Sequence, residues 1–281
     1  MEITIHEEKP FPESLSSSSD GTLYIGSVTH SEIFKAAKGA TTAEPWIKAG
    51  TGGLQRILGV LVDQKAGLLW VCSDKNGDKG APTALKTFDL KTGAPKSSYD
   101  FPGDTGLCND IAIASDGTAY ASDTTANRIL RLKKGASALD VWVKDDKLAG
   151  IDGIAFGDPT TIYFNTVTTG HLFKVAVNKD GAAGDLIEIK PSQALSRPDG
   201  MRTLGKNQFL LIEGAGRLDR VTINGTDAKI DVLKDGFNGP TAVTQTGKTA
   251  WVLEGKLNYM NDPKLKDQDP GPFKIFPVEL K

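Results

Sequence analysis

Four short pieces of the chain set an oxygen-bearing side chain in the same local position. Glu13 in "PESL", Asn109 in "CNDI", Asp152 in "IDGI" and Asp199 in "PDGM" each stand two places ahead of the first apolar residue of a short run. Three carboxylates and an amide have two obvious uses, holding a cation and moving a proton. Buried side by side without a counter-charge, carboxylates raise one another's pKa, and a bound cation relieves that conflict. The set contains no His or Cys, so its donors are oxygens and suit a hard ion. Ca²⁺ takes ~6–8 oxygens in irregular geometry, whereas Mg²⁺ demands a near-ideal octahedron. Calcium is the expected ion, with another divalent cation as the alternative. Taken singly, each residue is an ordinary turn former, and Pro198-Asp199-Gly200 reads locally as a tight turn. The four have joint meaning only if they occupy equivalent places in a repeated unit.

The rest of the chain supplies such a unit. A turn, an aromatic strand, a polar loop and a second strand recur along its whole length. The aromatic positions Tyr24, Trp70, Tyr120, Tyr163, Phe209 and Trp251 are spaced 42 to 50 residues apart. A period near 40–50 residues with several short strands per unit is the mark of a β-propeller. No unit holds the long amphipathic helix that a parallel α/β sheet would need. The reading is all-β: one six-bladed propeller of four-stranded blades spanning residues 1–281, with 2–7 closing the last blade beside "FKIFPVEL". Closure matters because an open ring would expose sheet edges. The innermost strands then begin at Glu13, Leu58, Asn109, Asp152, Asp199 and Thr241, ringing one mouth of the channel. Asp20, Asp116 and Asp235, in Asp-Gly turns, read as structural.

Composition narrows the function. Of 281 residues, 39% are hydrophobic and 24% charged, and 33 Lys plus Arg stand against 35 Asp plus Glu, giving a net charge of −2. With no basic block, nucleic acid and anionic membrane are not expected partners. No apolar run approaches the ~20 residues needed to span a bilayer. A small molecule is the expected partner, and a monomer is compatible with the sequence. As written the chain reads as cytoplasmic; a leader removed upstream would make it periplasmic or secreted. Cys72 and Cys108, without metal-type spacing, read as two buried thiols, a disulfide being the alternative.

The pieces at 12–14, 108–110, 151–156 and 197–201 resemble the regucalcin/gluconolactonase (SMP-30/LRE-like) family, and more remotely the paraoxonases and strictosidine-synthase-like propellers. The resemblance implies a divalent cation in the channel and hydrolysis of lactones or other esters. It implies that Glu13 and Asp199 are metal carboxylates, that Asp199 also serves as general base, and that Asn109 contacts substrate or metal. Asp152 stands where the family usually has Asn, which adds charge and makes it an alternative base. Leu107 stands where sugar lactonases often have Arg, which points to a less polar lactone or ester. No G-x-S-x-G elbow is present, which disfavours a covalent serine mechanism.

Loops between the second and third strands should surround the mouth, bringing His30, Asn165, His171, Glu213 and Glu254. The stretch 73–84, rich in Gly and charge, reads as the longest of them and a candidate lid. Two other classes stay open: a calcium- or partner-binding propeller without catalysis, and a metal-independent lyase or synthase on the same frame.

Overall fold

The computed structural model describes residues 1–77, 80–103 and 105–281. Its strands form six antiparallel four-stranded units, each running outward from the centre. The innermost strands are Pro12–Ser17, Arg56–Asp63, Cys108–Ile113, Ile151–Asp158, Pro198–Gly205 and Pro240–Thr246. They adjoin one another in that order, and the sixth returns to the first. The fold is a β-propeller. Residues 78–79, at the centre of the stretch expected to form a lid, lie outside the described residues.

The ring closes as the sequence suggests. Ile3–Ile5 pairs antiparallel with Phe273–Glu279 as the outer strand of the sixth blade, in the register Ile3↔Ile275. The same strand makes a short parallel bridge, Thr4↔Thr42, to the outer strand of blade 1. Each blade is a twisted sheet with two apolar faces, so the core is divided into six layers between blades rather than gathered in one centre. Trp70 and Cys72 of blade 2 pack with Cys108, Ile111 and Leu130 of blade 3. Tyr120 of blade 3 packs with Ile154, Phe164 and Phe173 of blade 4.

These layers explain the aromatic repeat and one slip in it. The second-strand residue facing the next blade is Tyr24, Trp70, Tyr120, Tyr163 and Trp251 in five blades. In blade 5 the equivalent place belongs to Leu210, opposite Arg202, and it packs toward blade 6. Phe209 faces backward instead, its ring 5.0 Å from that of Tyr163 in blade 4. The sequence expectation for blade 5 was therefore one residue out of register, which in a strand means the opposite face.

The cysteines are joined, contrary to the reading as free thiols. Cys72 on the second strand of blade 2 and Cys108 at the start of blade 3 have Cα atoms 5.1 Å apart and form a disulfide. Sequence spacing of 36 hid a contact that exists only because adjacent blades face each other. Asp74 Oδ1 accepts the Cys108 N–H at 2.8 Å, so the residue before Asn109 is clamped twice to blade 2.

Candidate metal and catalytic site

All six innermost strands open with a register shift, and in every blade it brackets the ring position. The shifts fall between Pro12 and Ser14, Ile57 and Val60, Cys108 and Ile111, Ile151 and Ile154, Pro198 and Met201, and Pro240 and Ala242. A bulge sets one residue out of the ladder and re-aims its side chain. This is how Glu13, Asn109, Asp152, Asp199 and Thr241 come to line one small cavity in the channel; Leu58 is not among its lining residues. Pro198-Asp199-Gly200 is consequently not a turn: all three belong to strand Pro198–Gly205, and the positive φ of 54° lies one residue earlier, at Arg197.

Glycine follows the ring residue in blades 2, 4 and 5 because neighbouring backbone leaves no room for more. A Cβ on Gly153 would lie 2.4 Å from the Asp199 carbonyl oxygen and 2.8 Å from Asn165 Nδ2. Asn165, expected in a mouth loop, is instead fully buried and donates from Nδ2 to that same carbonyl at 2.7 Å. The Asp-Gly pair thus serves close packing of blade 4 on blade 5.

Glu13, Asp152 and Asp199 converge, with one oxygen of each lying within 4.8 Å of the others. Asn109 Nδ2 donates to Asp152 Oδ2 at 2.9 Å. Asp152 Oδ1 and Asp199 Oδ1 are buried and accept no hydrogen bond from the described residues. Burial pushes the Asp199 carboxyl well above the usual carboxylate range, reinforced by the charges of Asp152 and Glu13. Glu13 is raised in the same way, by burial first and then by Asp152. Asp152 is pushed up to about 7 by burial and by Asp110, against the opposing hydrogen bonds from Asn109 and Asp199. Three carboxylates so placed cannot all be ionised without a cation among them. The cavity between them measures about 10 Å³, room for one ion or one water. An all-oxygen donor set, two unpartnered oxygens and a single-ion space fit a hard divalent cation.

Two residues of the site were not singled out from the sequence. Asp110, next to Asn109, accepts the Ile154 N–H at 3.1 Å and pairs with Arg202 Nη1 at 2.7 Å. Arg202 also lines the cavity and donates to the Met201 carbonyl at 2.8 Å. A signal for it was present: three places after the ring residue the strands carry Ser16, Leu61, Ala112, Ala155, Arg202 and Thr244. A lone arginine among small and apolar side chains in a closing channel needs an anion, and Asp110 is that anion.

Other expected mouth residues have structural work. Glu213 accepts the Ser196 N–H and pairs with Arg217, while Glu254 Oε1 accepts the Asn238 N–H at 2.7 Å. Asp123 Oδ1 likewise accepts the Leu107 N–H at 3.0 Å. These acids end the second strands and pin the segments leading into the channel. His30 Nε2 bonds the Glu8 carbonyl at 2.8 Å, and His171 Nδ1 lies 3.1 Å from Glu188. Neither histidine lines the carboxylate cavity.

The longest excursion over the mouth is 255–272 in blade 6, not 73–84. Buried Lys256 ties its two ends together, donating to the Pro270 and Pro272 carbonyls at 2.9 and 2.8 Å. Its root packs on the ring, since a Cβ on Gly255 would lie 2.3 Å from the Pro12 carbonyl oxygen and 2.6 Å from Thr241.

No family model matches the chain, and no curated protein sequence matches it. Its fold, however, recurs in solved structures. A gluconolactonase from Xanthomonas campestris shares 15% identity at a TM-score of 0.70, over 99% of this chain and 89% of its own. A luciferin-regenerating enzyme shares 10% at 0.71, over 99% and 95%. Virginiamycin B lyase from Staphylococcus aureus shares 13% at 0.65, over 100% and 99%. Likeness at this level establishes a common fold, and one fold hosts many activities.

Proposed function

We propose that this chain is a calcium-dependent hydrolase of a small lactone or ester. The observation that carries the reading is the buried meeting of Glu13, Asp152 and Asp199 within 4.8 Å, with two of their oxygens unpartnered. A ring built only to hold blades together needs no such charge. Those three carboxylates and the Asn109 carbonyl oxygen would hold the ion. When bound, the ion supplies Lewis-acid polarisation of the substrate carbonyl. Asn109 fixes the Asp152 carboxylate through its amide, so Asp152 orients and holds charge. Asp199, the most exposed of the three acids, takes the proton from the attacking water on its carboxylate. Asp152 is the alternative base. Half-buried Leu107 near the mouth, in place of a guanidinium, favours an acyl group of low polarity.

The fold is shared with a gluconolactonase and with a lyase, so elimination is the competing reaction. A panel of aliphatic lactones, sugar lactones and aryl esters, each with calcium and with EDTA, tests the proposal. The expected result is turnover of the less polar members, lost in EDTA and restored by calcium. Reaction in ¹⁸O-water must place the label in the product acid; a product lacking it would establish elimination instead. The Cys72–Cys108 disulfide favours the exported alternative for localisation, since such bonds persist mainly in oxidising compartments.

A further inference from the structure

A second cavity lies between blades 2 and 3 and reaches the channel from beyond the carboxylates. Its volume of about 990 Å³ dwarfs the 10 Å³ space around them, and Arg202 is a wall of both. Cavities of ~300–1,000 Å³ with apolar walls and a few placed charges are the usual form of small-molecule sites. Here the apolar wall includes Leu61, Trp70, Ile111, Ile113, Leu132 and Phe156. Five basic residues line the cavity against three acidic ones; with Arg202 paired to Asp110 and Lys96 to Asp89, Lys65, Lys133 and Lys134 stand against Asp63 and Asp116, a small positive balance. The carboxylates are engaged: Asp89 pairs with Lys96 at 3.3 Å, Asp63 bonds the Ala66 N–H, and Asp116 holds Thr118. Lys133 and Lys134 are exposed and form no ion pair among the described residues, leaving two cations available to a ligand.

We propose that this cavity binds an anionic amphiphile, an aliphatic chain with a carboxylate head, its chain on the Trp70–Phe156 wall and its head at Lys133 and Lys134. The site is distinct from the carboxylate cluster and needs no metal. Decanoate is a suitable probe, titrated by calorimetry below its micelle concentration into full-length protein in EDTA. Saturable one-to-one binding is expected, at least tenfold tighter than that of decyltrimethylammonium. Ala136→Trp, which puts an indole on a half-buried position of the wall, should weaken decanoate at least tenfold with the circular dichroism unchanged. Should that variant not fold, Ile113→Trp provides the same block. Lys133→Glu with Lys134→Glu, at exposed sites, should remove the preference for the anion. Absence of saturation, equal binding of both probes, or decanoate binding untouched by the blocking variants would each overturn the proposal. Because the titration is run without metal, its outcome is independent of whether the channel site is catalytic.

Discussion

Asp199 and Asp152 are chemically alike, yet their surroundings separate their roles. Asp152 accepts from the Asn109 amide and is 5% exposed, while Asp199 is the more open of the two and its backbone is pinned by Asn165. Asp199→Asn keeps an oxygen for the ion and nearly the same shape, but cannot accept a proton. Hydrolysis should therefore fall by about 10²–10⁴, the usual loss of a general base, with calcium still bound in calorimetry. Glu13→Gln should raise the calcium needed for half-maximal activity, and excess calcium should recover much of the rate. Asp152→Asn should retain activity; if it is dead while Asp199→Asn turns over, the two roles are exchanged. Calcium binding by a wild type inert toward every lactone and ester would instead identify a binding module.

The bulged inner strand is the element that converts a repeat into a site, and its tolerance is small. A methyl group on Gly153 has nowhere to go but into the Asp199 carbonyl, so Gly153→Ala must part blades 4 and 5. Overpacking of this kind costs about 1–3 kcal/mol. The expected outcome is a lowered melting temperature together with weaker calcium binding, because Asp199 moves with its strand. A control at Gly205, where φ is not positive and a Cβ would meet only Gln208 Oε1 at 3.9 Å, should leave both melting temperature and calcium binding nearly unchanged. The same element shows what could be read from the chain. The ring positions were legible because each precedes an apolar run by a fixed offset, and the blades because a large side chain recurs at each inter-blade layer. What escaped depends on neighbours across blades: the Cys72–Cys108 bond, the Arg202–Asp110 pair, and the backward-facing Phe209. Arg202 stands out as the lone cation at its repeat position, but the partner of each has no local pattern, since the contact takes shape only when two blades meet.

For the whole molecule, the closed ring and the charged channel oppose each other. Ile3 and Ile5, each 2% exposed, close the last blade, and burying such a side chain contributes about 1.5–3 kcal/mol. Deleting residues 1–8 should lower unfolding stability by several kcal/mol in urea titration. The channel acts in the other direction as pH rises. Burial pushes Asp152 up to about 7 in the fold and holds Glu13 and Asp199 well above the usual carboxylate range, whereas an unfolded carboxyl titrates near 4. Between about pH 4 and 7 the folded metal-free protein therefore holds protons that the unfolded chain has released, and unfolding stability declines as pH increases. Asp74, raised to about 7 by burial, and Asp219, raised to about 8 by burial and by Glu213, act with the same sign. Asp20, held at about 2 by bonds from Ser18 and Thr22, opposes them only below about pH 4. Metal-free protein should thus melt at a higher temperature at pH 5 than at pH 8. Calcium competes with the channel protons, so its stabilising effect should be larger at pH 8 than at pH 6. At 100 times its Kd the ion contributes about 2.7 kcal/mol. Since Asp74 and Asp219 lie outside the calcium-binding set, saturating calcium should flatten the decline without abolishing it. A metal-free melting temperature that climbs from pH 5 to pH 8 would show that the carboxylates are not buried together, and one indifferent to calcium at pH 8 would show that they do not bind the ion.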